Sequence, residues 1–287
     1  MTTATAGTRE QLLAGIPARE RRLELAGITT PVLDGGSGSP MVLLHGPGEH
    51  GAKWVEVIPK LVGSHRVIAP DLPGHGASVV TGGLLTSERV LQWLDELIGR
   101  TCSSPPVLVG QVVGGAIAMR HVMRQGRPVS RLVLVDTLGL APFQPAPEFA
   151  GALHAFLADQ NEQTFTDLWR QCAFDLNALR ERMGGLWAAF ASYTLERVRS
   201  PGVQAAQQVL LEQFGFAPIP PDEVARIAVP MSLVWGRHDL ATSVAVAEAA
   251  SAHYGWPLYV IENAGDDPGL EQPEQFVEAV LRGGQAA

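Results

Sequence analysis

Six short apolar runs rich in Val, Ile and Leu constrain this chain more than any other feature: Met41 to Leu44, Arg66 to Ala69, Val107 to Val109, Leu132 to Val135, Met231 to Trp235 and Leu258 to Ile261. Each is bounded by Pro or Gly and followed by helical periodicity. Their hydrophobicity is continuous rather than alternating, so each must be covered on both faces. That is the pattern of a parallel sheet flanked by helices, and the fold class it predicts is α/β. Arg22 to Leu25 and Ile28 to Leu33, joined at Ala26-Gly27, read as an antiparallel hairpin leading into the sheet.

The helices between are also legible. Val90, Leu91, Leu94, Leu97 and Ile98 form one stripe behind the cap residues Thr86 and Ser87, and Phe276, Val277, Val280 and Leu281 form another, with Pro273 suited to its first turn. Val113 to Gln125 is apolar nearly all round, which predicts a buried helix. Between Leu140 and Pro221 the strand pattern stops. Helical stretches are expected at Phe149 to Leu157, Phe165 to Phe174, Leu179 to Val198 and Val203 to Phe214, opened by Pro142, Pro145 and Pro147 and closed by Pro218 to Pro221. The expected organisation is a core formed by residues 1–140 and 222–287, interrupted by a helical cap at 141–221.

Composition narrows the partners. A formal charge of −8 and the absence of a basic run argue against nucleic acid, and only Lys53 and Lys60 among the basic residues are lysines. The segment Met1 to Ile16 lacks an apolar signal-peptide core, and no stretch approaches the roughly 18 apolar residues of a membrane span, so a cytoplasmic protein is expected, as monomer or homodimer. Cys102 and Cys172 have neither CxxC nor metal-like spacing and read as free thiols, no pair of histidines has the company of a metal site, and no motif calls for a cofactor.

Five motifs fall at strand ends, in order: His45-Gly46, Asp71-Leu72-Pro73-Gly74-His75-Gly76, Gly110-Gln111-Val112-Val113-Gly114, Trp235-Gly236-Arg237-His238-Asp239, and Gly265-Asp266 followed by Gln272-Pro273. Together they closely resemble the α/β-hydrolase superfamily, in the capped branch that includes esterases, epoxide hydrolases and carbon–carbon hydrolases. The resemblance covers nearly all of the chain outside the cap, and implies a mostly parallel twisted sheet flanked by helices. It also implies a nucleophile at the centre of Gly-x-x-x-Gly, an acid after the penultimate strand and a histidine before the last helix.

This chain departs from that pattern in three places. Val112 stands at the nucleophile position and has no atom able to attack a carbonyl; a β-branched residue is also poorly suited to the positive φ of such an elbow. Asp266 stands at the histidine position and cannot relay a proton as imidazole does. Pro47 stands where the backbone N–H after His-Gly would complete an oxyanion hole, leaving Val113 N–H, or Gly48 N–H after a shift, as donors.

Asp239 matches the family acid. If it lies near Asp266, repulsion raises one pKa and yields a protonated acid beside a carboxylate; otherwise Asp266 and Asp267 are solvated or paired with an arginine such as Arg237. His50, beside Glu49, is the remaining histidine candidate for acid–base work, with helix capping or surface exposure as the alternative for the pair. Gln111, Asp136 and the cap aromatics Trp169 and Trp187 complete the residues expected around a hydrophobic small molecule, Gln111 and the aromatics having structural roles as their alternative. The other histidines read as turn, packing or surface residues. Three functions fit: non-covalent acid–base chemistry, such as cyclisation, elimination, isomerisation or carbon–carbon bond formation; ligand binding without turnover; and hydrolysis by directly activated water. The resemblance also makes a natural-product setting plausible, because triad-deficient members of the superfamily occur there.

Overall fold

The computed structural model describes residues 3–282; Met1, Thr2 and residues 283–287, which belong to the terminal segments considered above, lie outside them. The first helix, α1 (Thr3–Ala14), was not expected from the polar N-terminal sequence. Strands β1 (Arg19–Leu25) and β2 (Ile28–Gly35) form the expected hairpin, longer at both ends, and turn at Ala26 and Gly27, both with positive φ. Next come β3 (Ser39–Leu44), a 3-10 turn at Gly51–Glu56, α2 (Ile58–Leu61), β4 (His65–Pro70), β5 (Val79–Val80), α3 (Ser87–Thr101), β6 (Val107–Gln111), α4 (Val113–Met123) and β7 (Arg131–Val135).

Five helices and one short turn of helix separate β7 from the next strand: α5 (Pro147–Ala158), α6 (Glu162–Cys172), α7 (Leu176–Met183), α8 (Gly185–Val198), α9 (Pro201–Leu210) and α10 (Pro221–Val224). The sheet then resumes with β8 (Met231–Gly236), α11 (Val244–Tyr254), β9 (Leu258–Ile261), α12 (Pro268–Glu271) and α13 (Pro273–Arg282). The single helix expected over Leu179 to Val198 is two helices, because Gly184 adopts φ +54°, a conformation costly for any residue with a Cβ, and breaks the chain between α7 and α8. The helix expected to reach Phe214 ends at Leu210 and continues as a π turn over Leu211–Gly215.

Strand order is β1-β2-β4-β3-β6-β7-β8-β9, with β5 beside β2. Pairs from β4 through β9 are parallel, and those made by β2 are antiparallel. Period-2 alternation divides the strands between two cores. Met41, Leu43, Val109, Val133 and Val135 face one, and Val42, Leu44, Leu108, Leu132 and Leu134 face the other. Both faces are therefore covered, as the continuous apolar runs require. Thr86 caps α3 by accepting a hydrogen bond from Arg89 N–H, and Pro273 opens α13, as expected. No helix among the described residues is long and apolar enough to cross a membrane.

Helix α1 is fastened by Arg9, which is 8% exposed. Its guanidinium donates to Glu20 Oε2 on β1 at 2.6 and 2.8 Å and to the Tyr193 hydroxyl on α8 at 2.9 Å, and pairs with Asp71 Oδ2 after β4 at 3.1 Å. Asp71 in turn accepts the Gly51 and Ala77 N–H groups. One cation thus joins the N-terminal helix, the edge hairpin, the loop after β4 and the helical segment. Removing it strands the buried Asp71 carboxylate, and breaking such a pair costs about 3–5 kcal/mol. Arg9→Met is expected to lower the free energy of unfolding in urea by about 3 kcal/mol; a change below about 0.5 kcal/mol would show that surface substitution rules apply instead.

Candidate active site

The carboxyl ends of β3, β6, β7 and β8 meet the helical segment around a cavity of about 250 Å³. At its base is the turn from β6 into α4. Gly110 and Gly114 are needed there because a Cβ on Gly110 would lie 2.5 Å from Gly114 O, and one on Gly114 would lie 2.7 Å from His45 O. Val112 sits between them at φ +49°, ψ −112°. The elbow has therefore kept its strain, of about 1–3 kcal/mol, despite a β-branched residue. The surroundings impose it: Val112 N–H donates to Val135 O at 3.0 Å, and Val112 O accepts from Leu138 N, Ala116 N and Thr137 Oγ1. The side chain of Val112 presents only methyl groups to the cavity, which it lines.

Pro47, Gly48, Gln111, Asp266 and Trp169 also line the cavity, as expected. Five expected residues do not: Val113, Trp187, Asp136, His50 and Asp239. Val113 is buried in the core beneath the sheet's other face, although its position at the first turn of α4 leaves its N–H outside the helix's own bonding. Trp187 packs edge-on against Trp169, with ring centroids 5.1 Å apart, and supports the wall from behind. Asp136 is buried at the end of β7, accepting Gly236 N–H at 2.9 Å. His50 is fully buried between Tyr193 and Phe190, with Nε2 3.2 Å from Thr194 Oγ1. Burial, then the charges of Arg9, Lys53 and Arg197, hold its pKa well below the usual imidazole range, so the ring is neutral and is replaced at the cavity surface by Thr194. His50 therefore does not reach the cavity where acid–base work was expected of it.

Asp239 is 5% exposed and lies behind the cavity, whose wall there is Ala241. Its Oδ1 accepts Ala241 and Thr242 N–H at 2.7 and 2.8 Å, and Oδ2 has no partner. Burial pushes its pKa to about 7 against the pull of these bonds. Burial and then the neighbouring charge of Asp239 hold Asp266 well above the carboxylate range. The same two causes raise Asp136, and of these three carboxyls Asp266 is the one that lines the cavity. Arg237 takes no part: it pairs with Glu248 and Glu262 at the surface.

The unexpected part of the site is Lys53, from the 3-10 turn after β3, which is 1% exposed. Its ammonium lies 2.9 Å from Glu49 Oε1, 3.0 Å from Asp267 Oδ2 and within hydrogen-bond reach of Gln111 Oε1. Burial opposes its charge, but Asp267 and Glu49 outweigh it and hold the amine above the ordinary lysine range. Gln111 spans the floor, accepting from Lys53 and donating through Nε2 to Asp266 O at 2.8 Å. Both of its polar ends are therefore occupied within the protein. Glu49 lines the cavity and accepts Gly46 N–H at 2.7 Å; burial raises its pKa to about 7, with Lys53 pulling it down. It neither caps a helix nor faces solvent. The available sequence signal was the spacing Glu49 to Lys53, four residues apart and involving one of only two lysines.

The Asp266 loop is docked on the helical segment. Asp266 N–H donates to Cys172 O at 2.9 Å, and Gly265 admits that carbonyl, which would lie 1.9 Å from a Cβ there. Glu271 accepts Gly265 N–H at 2.7 Å and Phe174 N–H at 2.6 Å. Cys172 is a free thiol, as expected, but lines the cavity beside Asp266; burial and that carboxyl push it well up from the usual range. Cavity walls away from this end are apolar, formed by Phe143, Phe149, Phe156, Phe165 and Leu168, among others. Despite the crowding of acids, no group of His, Cys, Asp or Glu among the described residues is arranged to hold a metal ion.

Comparison with known proteins agrees with this architecture. The chain is 26% identical over 255 residues to pimeloyl-[acyl-carrier protein] methyl ester esterase of Aeromonas hydrophila, covering 85% of this chain and 95% of the relative. It is 27% identical over 271 residues to 2-hydroxy-6-oxo-6-(2'-aminophenyl)hexa-2,4-dienoic acid hydrolase of Metapseudomonas resinovorans, covering 91% and 89%. The structure of 2-hydroxy-6-oxo-6-phenylhexa-2,4-dienoate hydrolase from Rhodococcus sp. strain RHA1 superposes with a TM-score of 0.79 at 24% identity, over 94% of this chain and 99% of that one. The sequence profile of the alpha/beta hydrolase family matches residues 41–279, and the chain belongs to that family.

Proposed function

We propose that this protein retains the hydrolase cavity for an apolar small molecule and transforms it by acid–base chemistry without a covalent intermediate. The observation that carries the reading is the pairing of two unlike carboxyls at one end of the cavity: Glu49, held by the Lys53 ammonium, and Asp266, held in the protonated form. Carboxyls whose surroundings push their pKa values apart are suited to serve as base and acid in the same turnover. Val112 contributes no nucleophile, so the serine-hydrolase route is closed at that position. Asp266 donates a proton to the substrate, Glu49 accepts one, and the aromatic walls exclude water and hold the apolar body. Cyclisation, elimination, isomerisation or carbon–carbon bond formation requires no more than this.

Hydrolysis by a water activated at Glu49 is the second reading, favoured by the esterase and carbon–carbon hydrolase names of the relatives. Isotope-labelled water incorporated into product, without an enzyme adduct, distinguishes it from the first.

Serine-directed fluorophosphonates are expected to leave the protein unlabelled, and stoichiometric, activity-linked labelling of any serine would overturn the proposal. A carboxyl-carbon NMR titration is expected to place Glu49 at about 7. Because Lys53 stabilises the ionised form, Lys53→Met must move that midpoint upward. Base-dependent turnover should therefore rise with pH through about 7 in the parent protein and at higher pH in the variant, then fall where Asp266 loses its proton. A Glu49 midpoint in the ordinary range for an exposed glutamate, unmoved by the substitution, would remove the base from the scheme.

A further inference from the structure

The polar end of the cavity is lined by acidic side chains and by no basic one. Glu49, Asp266 and Asp267 line it, and no Lys, Arg or His is among its lining residues. Lys53 lies beneath, with a side chain 0% exposed, and its ammonium is taken up by Glu49, Asp267 and Gln111. Behind Asp266, Asp239 and Asp136 each keep one buried carboxyl oxygen without a hydrogen-bond partner. The remaining wall includes the rings of Trp169 and Phe190, and aromatic faces attract cations in a desolvated site.

A carboxylate or phosphate entering this space would lose its water and meet the acidic side chains of Glu49 and Asp267 with no cationic side chain among the lining residues. A neutral hydroxyl would find acceptors but gain no charge pairing. A protonated nitrogen would donate to Asp266 and Glu49 while its apolar substituents filled the aromatic part. We propose that the ligand of this cavity is an apolar molecule bearing a basic nitrogen, seated with that nitrogen between Glu49 and Asp266. The inference concerns occupancy of the same cavity: an ammonium seated there ionises Asp266 and so takes the place of the proton that the acid–base reading assigns to it.

The proton balance follows from the burial of Asp266. In the empty cavity its carboxyl keeps the proton. An alkylammonium arriving from water keeps all its N–H bonds, the Asp266 O–H bond breaks, the proton passes to solvent, and an N–H···O⁻ pair remains. Binding of the ammonium form near neutral pH therefore releases the Asp266 proton and, because Glu49 is pushed up to about 7, part of a second, whereas a neutral alcohol releases none.

Calorimetric titration of the full chain with phenylbutylamine, phenylbutanol and phenylbutyrate, in two buffers of different ionisation enthalpy, tests this. The amine should bind at least about tenfold more tightly than the alcohol and more tightly still than the acid, with net proton release. Asp266→Asn should lower the release by about one proton and remove most of the preference while still binding the alcohol, which shows that the cavity is intact. An acid that binds as well as the amine, an alcohol that equals it, proton release undiminished by Asp266→Asn, or no binding of any of the three at millimolar concentration overturns the ligand class. The Glu49 titration is independent of these ligands: a normal Glu49 midpoint with amine preference retained defeats the acid–base reading and leaves the ligand class standing.

Discussion

Much of the site hangs on one buried ammonium. Lys53 has lost its water, and an amine in that position remains charged only if several carboxyl or carbonyl oxygens surround it. Glu49, Asp267 and Gln111 provide them, and they come from three separated parts of the chain: the loop after β3, the loop after β9 and the end of β6. Gln111 extends the connection to the backbone of Asp266. The same contacts that keep Lys53 charged therefore place Glu49 at the cavity surface and register the Asp266 loop against the elbow. Loss of any one of these oxygens would leave the ammonium short of a hydrogen-bond acceptor in a dry interior, so the network acts as a unit.

A second constraint acts through backbone shape. Val112 is held at a positive φ that valine disfavours, by hydrogen bonds from β7 and from the loop after it and by the close approach of glycines on either side. Gly265 has the same function on the facing loop, where the carbonyl of Cys172 occupies the space of a side chain. These two close contacts bring Val112, Asp266 and the helical segment around one volume. The strained turn persists although its central residue has no reactive atom, because the core that enforces it also holds β6 and α4 together.

Much of the fold was legible from elementary rules. Continuous apolar strands predicted a sheet covered on both faces, and the division of alternate residues between two cores realises it. Thr86 and Pro273 marked helix starts by capping chemistry that acts within one turn. Less local features were missed. Gly184 does not announce a chain reversal inside an otherwise helical pattern, since glycine is tolerated there at modest cost. Helix α1 owes its place to Arg9 meeting Glu20, Asp71 and Tyr193, the last 184 residues away, which no local pattern encodes.

The site divides in the same way. Sequence alone determined which atoms are available: methyl groups at Val112, a carboxyl at Asp266, no N–H at Pro47 and no histidine before the last helix. Gly48, Gln111 and Trp169, named from the sequence as candidates, line the volume. Only the tertiary structure decided which of these groups face it and with what charge. His50 turned into the core beside cations and became neutral, Asp136 and Asp239 withdrew behind the wall, and Glu49 was brought to the surface by a lysine whose importance the sequence showed only as a spacing of four. Chemical identity is a property of each residue, whereas desolvation and charge proximity depend on which distant segments the fold packs together, and those two terms set protonation.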